Sequence, residues 1–420
     1  MDPHLAEKNI VLFHSHGKIK NSGGATYIQL LFEILSQIPG VHFTIVYTDC
    51  EEVTEVTYKN ENTIEIIRIP QPVNKLFLSY EKNLIQDKYC ERLINILHPV
   101  LADKQNLIFW FNNPDEINLL ALLKQTYTCQ AVYVLHSWAW KELINMDDAF
   151  FYRGKVNSLT VELHDEFLFS QINMCHIADR IITLTNYSKN VLINKFNFTE
   201  TKITTIYNGV RVPHDKAVSK ENIIKEFGFS NDDKIILYSG RLHDNKGISF
   251  LISAFKIINK IIPEARLVLI GPGDISKFLQ ESFPLLGRIS FTGMMGKEAV
   301  YKLYSIAKIG VIPSLFEQCS FTSIEMSQFR IPLIVTEIEG LDEMFANFVD
   351  SLKVPLTVNA HGERLIVADI LAEKIQSLLT DTAMAGKIAF NGYKKSCLLF
   401  SYQQMKDRYF NFIETLYPVS

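Results

Sequence analysis

The sequence predicts an α/β chain made of two tandem, doubly wound parallel-sheet domains. Short apolar runs alternate with helical patterns along most of the chain, and such alternation produces right-handed strand–helix–strand crossovers. The apolar runs are continuous rather than alternating with polar residues, as expected for strands buried on both faces of a parallel sheet. At 420 residues the chain is too long for one ordinary core, and the pattern starts again near Lys234.

Each half of the chain contributes its own set of predicted strands, with helices between them. The helices expected between or after these strands include Thr26–Gln37, Pro114–Tyr127, Tyr187–Phe196, Asp381–Phe400 and Tyr402–Leu416. The strands expected in the first half are Ile10–His14, His42–Thr48, Thr63–Pro70, Leu107–Asn112, Ala131–Ser137, Arg180–Thr185 and Lys202–Tyr207. Those expected in the second half are Lys234–Ser239, Arg266–Ile270, Ile289–Thr292, Ile309–Pro313, Pro332–Thr336 and Ser351–Val354.

A polar, proline-bearing stretch, Val210–Lys225, precedes the restart of the pattern and is typical of a linker. We therefore expect an N-terminal domain at residues 1–212, a C-terminal domain at residues 213–400 and a final helix at residues 401–420 that packs back on the first domain. Doubly wound sheets bind ligands at the carboxyl ends of their strands. A cleft between two such faces would be the natural active site.

Composition excludes several classes of protein. The net charge of −4 gives no reason to expect a nucleic-acid partner, and six cysteines without a C-x-x-C pair indicate reduced thiols rather than a disulfide frame or a zinc site. The first eight residues are polar, unlike a signal peptide, and no apolar run reaches the roughly 20 residues of a membrane span. We expect a cytoplasmic protein. Peripheral contact with the inner face of a membrane stays open, because a surface patch cannot be read from a sequence.

Two cations in the second half suit a diphosphate. Arg241 and Lys246 follow the predicted strand Lys234–Ser239 on a strand-to-helix turn. Arginine offers a planar fork and lysine a mobile point charge, and such fixed charges stabilise a departing diphosphate. The chain has no D-x-D triplet, the carboxylate arrangement expected of a metal-dependent transferase, so we expect no metal ligands. A solvated charge pair at a helix start is the alternative, but the preceding Tyr-Ser-Gly at a strand end favours the ligand role.

Two acids, Glu317 and Glu325, have seven residues between them. We expect Glu317 at the end of a strand and Glu325 inside the following helix, both projecting from one edge of that helix. Ser320, Phe321 and Thr322 should begin the helix, with N–H groups that cradle an anion at its positive end. Glu325 would bind a ribose diol and Glu317 sugar hydroxyls. A favourable helix dipole alone would explain Glu317, but not an acid inside an apolar run, where an unpaired charge is costly.

Two further turns, at Asp274 and at Thr292–Met294, also end predicted strands. Backbone groups of both turns, those near Met294 included, could then read a nucleotide base. Plain turn chemistry explains both turns equally well. Together with the cations and the acids, they describe a pocket for a nucleotide sugar.

The first half carries weaker signals. Gly23 and Gly24 open a helix where bare N–H groups could approach a phosphate, although neither a dinucleotide fingerprint nor a P-loop is present and an ordinary turn is the simpler interpretation. His136 closes a strand and could hydrogen-bond a sugar hydroxyl or help to arrange the leaving group, with a satisfied strand-end histidine as an equal alternative. A weaker hypothesis gives contacts with the acceptor to the residues Trp138, Trp140, His14, His16, Lys18 and Lys20. For at least one of the two tryptophans, packing in the core is the favoured interpretation.

Taken together, these residues resemble a GT-B glycosyltransferase of family 4, the retaining enzymes known as glycosyl transferases group 1. The resemblance is strongest from Lys234 to Phe345, which contains Gly-Arg-Leu followed by Lys-Gly, then Leu-Val-Leu-Ile-Gly-Pro-Gly, Phe-Thr-Gly and the Glu-x7-Glu element. The first half is similar more loosely, through Gly23-Gly24, His136 and Ile206-Tyr-Asn-Gly-Val.

The resemblance implies two Rossmann-like domains facing a cleft, with the second holding a nucleotide-diphosphate sugar. It implies hexosyltransferase chemistry with retention, without a metal or other cofactor, on a carbohydrate, lipid-linked or other hydroxyl acceptor. Arg241 and Lys246 would match the diphosphate pair, Glu317 the donor-sugar carboxylate and Glu325 the ribose ligand. His136 would match the first-domain histidine near the reacting sugar.

The chain also departs from the family pattern. Gln318-Cys319-Ser320 stands where an aromatic residue and then glycine are common after the first glutamate, and Met-Ser-Gln-Phe follows Glu325 in place of Ala-Met-Ala. The identity of the donor therefore does not carry over from relatives. Two other functions remain as alternatives, a GT-B nucleotide-sugar epimerase and a catalytically inactive sugar-binding subunit.

Overall fold

The computed structural model describes residues 7–15, 23–61, 64–71, 79–138, 158–212 and 219–417. These residues form two compact units. The first comprises the described residues up to Trp138, Glu162–Ile206, and the chain from Met405 onward, and the second consists mainly of Tyr207–Gln404.

The first unit is built on a sheet of eight strands in the order β3-β4-β2-β1-β5-β6-β7-β8. Neighbouring strands are parallel except for β3, which pairs antiparallel with β4 at the edge. The run Leu107–Phe111 is buried at every position, which shows why its apolar residues are continuous. The strands are β1 (Lys8–Ser15), β2 (Val41–Cys50), β3 (Thr57–Glu61), β4 (Ile64–Pro70), β5 (Leu107–Phe111), β6 (Cys129–Leu135), β7 (Arg180–Thr183) and β8 (Ile203–Thr205).

The helices of the first half connect these strands. The first of them buries Tyr27, Ile28, Leu31, Ile34 and Leu35 at helical spacing. The fifth starts at the N-cap Thr185, whose side chain accepts from the Ser188 amide, and ends at Asn197 in the left-handed region, φ 56°. The helices are α1 (Gly23–Leu35), α2 (Ser79–Leu101), α3 (Ile117–Thr126), α4 (Ser158–Ile177) and α5 (Asn186–Phe196).

The second unit is built on a parallel sheet of six strands in the order β11-β10-β9-β12-β13-β14, with a separate antiparallel hairpin, β15–β16. Its strands are β9 (Lys234–Ser239), β10 (Ala265–Ile270), β11 (Ile289–Gly293), β12 (Ile309–Ile312), β13 (Leu333–Thr336), β14 (Leu352–Val354), β15 (Leu356–Val358) and β16 (Arg364–Ile366). The helices that follow in the chain are α6 (Lys220–Glu226), α7 (Ile248–Ile261), α8 (Ser276–Glu281), α9 (Lys297–Ile306), α10 (Phe321–Gln328), α11 (Glu339–Met344), α12 (Ala368–Thr380), α13 (Thr382–Leu399) and α14 (Tyr402–Glu414).

The predicted fold class is confirmed, and most predicted strands differ from the observed ones by one or two residues at an end. The strand Lys234–Ser239 is reproduced to the residue. Three strands were not predicted, β3, β15 and β16. β3 is exposed at every position and lacks an apolar run, so its sequence carries no signal of burial.

Helix α14 packs on the first unit from Met405 onward. The Tyr409 and Tyr27 hydroxyls lie 2.5 Å apart, and the buried Lys8 ammonium donates to the Ile413 carbonyl oxygen at 2.8 Å. The guanidinium of Arg180 lies 5.2 Å from the centre of the Phe412 ring. The last part of the chain therefore completes the core that the first residues begin.

Two absences bear on the expectations from composition. Among the residues that the structure describes, the six cysteines form no disulfide. Within the same ranges, no helix has both the length and the apolar character needed to cross a bilayer.

Glycines let the loops at the carboxyl end of the second sheet approach one another closely. A Cβ on Gly247 would lie 1.9 Å from the Pro313 carbonyl oxygen, and one on Gly271 would lie 1.9 Å from the Gly240 carbonyl oxygen. Gly247 also has φ +70°, in the left-handed region. The turn after β9 and the turn after β12 are thereby held against each other.

We expect Gly247→Ala to lower the melting temperature, because the new methyl group meets backbone at Pro313 and the left-handed conformation alone costs about 1–3 kcal/mol. Gly296→Ala is the control, since Gly296 has φ −65° and no atom lies within 4 Å of the place that its new methyl group would take. Thermal denaturation of both variants tests this, and equal melting temperatures would contradict it.

Candidate functional site

The two basic residues assigned to the diphosphate, Arg241 and Lys246, lie on the turn that follows β9. The Tyr238 hydroxyl donates to the Arg241 carbonyl oxygen at 2.8 Å, which fixes the start of the turn. Lys246 ends the 3-10 turn Asp244–Lys246, and its ammonium lies 2.8 Å from Glu317 Oε2. The side chains of Lys246 and Glu317 are 18% and 21% exposed, so the ion pair is partly shielded from water. Lys246 and Glu317, which the sequence assigned to different parts of the donor, therefore form an ion pair with each other.

Glu317 lies in the loop between β12 and α10, before the helix begins. Ser320 is the N-cap, and its hydroxyl accepts from the Ser323 amide at 3.3 Å. Helix α10 starts at Phe321, so only Glu325 is helical. The expectation that both acids project from one edge of the helix is wrong, because the cap places three loop residues and then the helix between them.

Hydrogen bonds from three other parts of the chain hold the backbone of this loop. The Leu315 amide donates to the Asn245 carbonyl oxygen at 2.9 Å, which ties the loop to the turn of Lys246. Arg364 donates to the Leu315 carbonyl oxygen at 2.9 Å and pairs with the buried Glu339 carboxylate at 2.5 Å. Asn208 Nδ2 donates to the Cys319 carbonyl oxygen at 2.7 Å. Sequence reasoning missed these supports, since their partners are distant in the chain.

The start of α10 has the geometry that the sequence predicted. Ser320 is buried, whereas Phe321 and Thr322 are partly exposed. Their amides belong to the first turn of an eight-residue helix, where N–H groups point away from the helix. The anion cradle assigned to Ser320, Phe321 and Thr322 stays a prediction.

Glu325 is buried, only 8% exposed, and has two partners on α9. The Tyr301 hydroxyl donates to Glu325 Oε1 at 3.2 Å, and the Lys297 ammonium lies 3.4 Å from the same oxygen. Burial raises the pKa of Glu325, and the nearby Lys297 charge and the Tyr301 hydrogen bond oppose that rise. The signal that could have found these partners is their spacing, since residues four apart share a face of α9.

The pKa of a buried tyrosine responds to each acid. Burial first, and the Glu317 carboxylate second, raise the pKa of Tyr238, while the Arg241 charge lowers it. Burial and then the Glu325 carboxylate raise the pKa of Tyr304, to which Tyr238 also contributes. Glu317 and Arg241 thus act on the pKa of Tyr238, whereas Glu325 acts on that of Tyr304.

The other turns of the second unit differ in character. Met294 follows β11 and is 59% exposed, so it is available to a ligand. Asp274 Oδ1 accepts from the Ser276 amide at 2.9 Å. That bond is ordinary turn chemistry, which favours the structural explanation for Asp274.

His136 follows β6 in the first unit, with its Nε2 2.9 Å from Asn112 Oδ1 and its ring edge-on to Tyr27 at 4.4 Å. Burial first, and the nearby His14 second, lower the pKa of His136 to about 4. The imidazole is therefore neutral at physiological pH. Because an amide oxygen only accepts, Nε2 carries the proton and Nδ1 offers a lone pair.

The remaining residues of the first half divide into described and undescribed positions. Gly23 and Gly24 are the first residues of α1, as expected. Trp138 is fully buried and stacks on Phe196, with ring centres 6.1 Å apart, so it belongs to the core. The residues outside the described ranges are Trp140, His16, Lys18 and Lys20.

The raised pKa of Glu325 predicts a pH-dependent contribution to stability. The folded state binds this proton more tightly than the unfolded chain, so the stabilisation is complete below about pH 4.3, the ordinary glutamate pKa, and is lost as pH rises through the folded-state pKa. Relative to Glu325→Gln, the native protein should thus lose stability from acid to neutral pH. Melting temperatures across that range test this, with exposed Glu298→Gln as the control. Parallel curves for the native protein and Glu325→Gln would contradict it.

We also expect the His136 ring signals to stay those of a neutral imidazole from pH 8 to about pH 5, since the pKa is lowered to about 4. Exposed His42 serves as the internal comparison. NMR of protein labelled at histidine carbons, assigned with His136→Gln, measures this. A midpoint near 6.5 for His136 would show that its ring is not buried as described.

Comparisons with known proteins agree with the fold. The family described as Glycosyl transferases group 1 matches residues 219–395, and Glycosyltransferase Family 4 matches residues 21–212. An uncharacterized glycosyltransferase of Methanocaldococcus jannaschii is 32% identical over 184 residues, which cover 42% of this chain and 46% of that protein. Mannosylfructose-phosphate synthase of Agrobacterium fabrum is 27% identical over 264 residues, 56% of this chain and 58% of that protein.

The chain thus spans about half the length of the curated relatives that it matches. Among solved structures, sucrose-phosphate synthase from Thermosynechococcus elongatus superimposes with a TM-score of 0.77 at 20% identity, covering 99% of this chain and 100% of that one. HepE of Anabaena in complex with UDP and glucose gives a TM-score of 0.67 at 16% identity, covering 98% and 100%. At such identities these likenesses establish the fold alone.

Two family matches cover both halves of the chain, and each half has the sheet that the family requires. The chain therefore belongs to glycosyltransferase family 4, the glycosyl transferases group 1 with the GT-B fold.

Proposed function

We propose that this protein transfers a sugar from a nucleotide-diphosphate sugar to an acceptor hydroxyl, with retention at the anomeric carbon. One observation carries the proposal: the Lys246–Glu317 ion pair joins the loops that follow the neighbouring parallel strands β9 and β12, and Glu325 is buried in the helix that begins after the second of these loops. In open α/β sheets that end of the strands is where ligands bind.

The diphosphate binds Arg241 and Lys246 in this proposal. Lys246 is held by Glu317 at 2.8 Å, and an incoming diphosphate competes for the ammonium. Transfer of the ammonium from carboxylate to phosphate leaves Glu317 able to accept hydrogen bonds from sugar hydroxyls. Binding of the diphosphate to Lys246 would thus free the Glu317 carboxylate to bind the sugar.

Glu325 binds the ribose diol. Its burial would favour the neutral acid, which accepts fewer hydrogen bonds than the carboxylate does, but Lys297 and Tyr301 favour the carboxylate. A charged carboxylate can accept hydrogen bonds from both ribose hydroxyls. Lys297 and Tyr301 are therefore positioning residues for the nucleotide.

In the chemical step, a bond forms between the acceptor oxygen and the anomeric carbon as the bond from that carbon to the phosphate oxygen breaks. The acceptor proton passes to the departing phosphate on the same face of the sugar. Arg241 and Lys246 stabilise the negative charge that develops on the diphosphate. No carboxylate serves as a nucleophile here, and capture of a covalent glycosyl group on Glu317 would contradict this step.

The first unit contributes acceptor recognition. The Nδ1 lone pair of neutral His136 can accept a hydrogen bond from a hydroxyl. Among the relatives is an Escherichia coli galactosyltransferase named for an alpha-D-GlcNAc-diphosphoundecaprenol acceptor, 25% identical over 185 residues. We infer a carbohydrate or lipid-linked acceptor and a cytoplasmic site of action.

Two variants separate binding from turnover. We expect Glu325→Ala to weaken donor binding by roughly ten- to hundredfold, the effect of losing hydrogen bonds to a charged group. Lys246→Ala should lower kcat by about a hundredfold or more with a smaller change in affinity, because its charge matters most as the diphosphate departs. Lys302→Ala is the matched control, because it removes a lysine of α9 that pairs with Glu226. Calorimetry over a panel of nucleotide sugars beginning with UDP-glucose, followed by transfer assays, measures both.

Unchanged donor affinity in Glu325→Ala would remove the ribose assignment. Isomerisation of the donor without any acceptor would identify an epimerase instead. Binding of nucleotide sugar with neither transfer nor hydrolysis, in any acceptor pool, would identify an inactive sugar-binding subunit.

A further inference from the structure

Helix α13 presents an exposed face of alternating cationic and apolar side chains. Lys387, Phe390, Lys394 and Leu398 are all exposed and lie three or four residues apart, so they line one side of the helix. Phe390 and Leu398 are 52% and 67% exposed. The opposite side, with Ile388, Ala389, Gly392 and Ser396, is buried.

A rigid turn beside this helix exposes two more apolar side chains. Phe348 and Val349 are 59% and 49% exposed, and Phe348 has φ +59°, a conformation that bulky residues rarely adopt. Asp350 holds the turn by accepting from the Ala346 amide at 2.7 Å and from the Lys395 ammonium at 3.0 Å.

The turn is also tied to α13, because Asn391 Nδ2 donates to the Val349 carbonyl oxygen at 2.9 Å. The exposure of Phe348 and Val349 is therefore imposed by fixed contacts.

The charge of this region is positive. Lys394 lies 5.3 Å from the centre of the Phe390 ring, and Lys374 lies 5.7 Å from that of Phe348. The sequence of α13 has three lysines and no acidic residue. Lys395 is neutralised by Asp350 and Lys374 by Glu373, which leaves the charges of Lys387 and Lys394 to act outward.

We propose that this lysine–aromatic face, formed by Phe348, Val349, Lys387, Phe390, Lys394 and Leu398, docks the second unit on the surface of an anionic lipid bilayer. Aromatic and aliphatic side chains enter the boundary between headgroups and acyl chains, while the adjacent ammonium groups stay with lipid phosphates. A second copy of the chain fits the face less well, because a two-fold contact would bring its lysines against their own copies. The face shares no residue with the proposed donor site, so contacts between the face and lipid would not occupy the side chains that bind the donor.

Vesicle co-sedimentation of the full chain tests the proposal, with phosphatidylcholine vesicles compared with vesicles that also contain phosphatidylglycerol. We expect binding only to the anionic vesicles, weakened by added salt. Lys387→Glu with Lys394→Glu should weaken partitioning by at least about twentyfold, since each lysine near an anionic surface contributes roughly fivefold. Phe348→Ser with Phe390→Ser should weaken it by on the order of tenfold or more.

Matched variants on other surfaces of the second unit control for charge and apolar loss. Lys260→Glu changes an exposed lysine on α7, and Phe283→Ser removes a phenylalanine that is 66% exposed. Both should bind like the native protein, and melting temperatures verify that every variant is folded. Absence of binding to anionic vesicles, equal loss in the control variants, or self-association that the face variants abolish would overturn the proposal. None of these outcomes depends on donor binding, so the glycosyltransferase proposal stands or falls separately.

Discussion

Burial of parallel strands on both faces is the constraint that locates the chemistry of this protein. A strand such as β12, buried along its whole length, has no place for a charge that binds a ligand. Polar function is therefore displaced to the ends of the strands, and in a parallel sheet those carboxyl ends lie at one edge. The turn after β9 and the loop after β12 bring Lys246 and Glu317 together because their strands are neighbours.

The acids of the second unit are held in two different ways. Glu317 is partly shielded from water and paired with Lys246, which a ligand could also bind, so the hydrogen bonds of Glu317 can be exchanged. Glu325 lies deeper, and its partners come from a neighbouring helix and hold its charge in place. In the proposed donor site, Glu317 would be the exchangeable group at the sugar and Glu325 the fixed group at the nucleotide.

Sequence reasoning located the residues whose signal is local and missed those whose partners are far away. Arg241 and Glu325 could be found because each interrupts or follows an apolar run, where a charge needs a reason. Arg364 and Asn208 have no such local signature, since each acts on a loop brought near only by the fold. The relation of Glu317 to helix α10 was misjudged because Glu317 lies in the loop before the Ser320 cap, so helical spacing does not relate it to Glu325. Edge strand β3 was missed for a related reason, as an exposed strand has no buried face to mark it.

The hydroxyl contact between Tyr27 and Tyr409 joins positions 382 residues apart. On a ribosome that adds about 5–20 residues per second, Tyr27 emerges roughly twenty to eighty seconds before its partner exists. Over that interval the nascent first unit has an incomplete interior, with Lys8 and Tyr27 awaiting the helix that covers them. Chaperone protection during translation, rather than early independent folding, is the course that this order of synthesis favours.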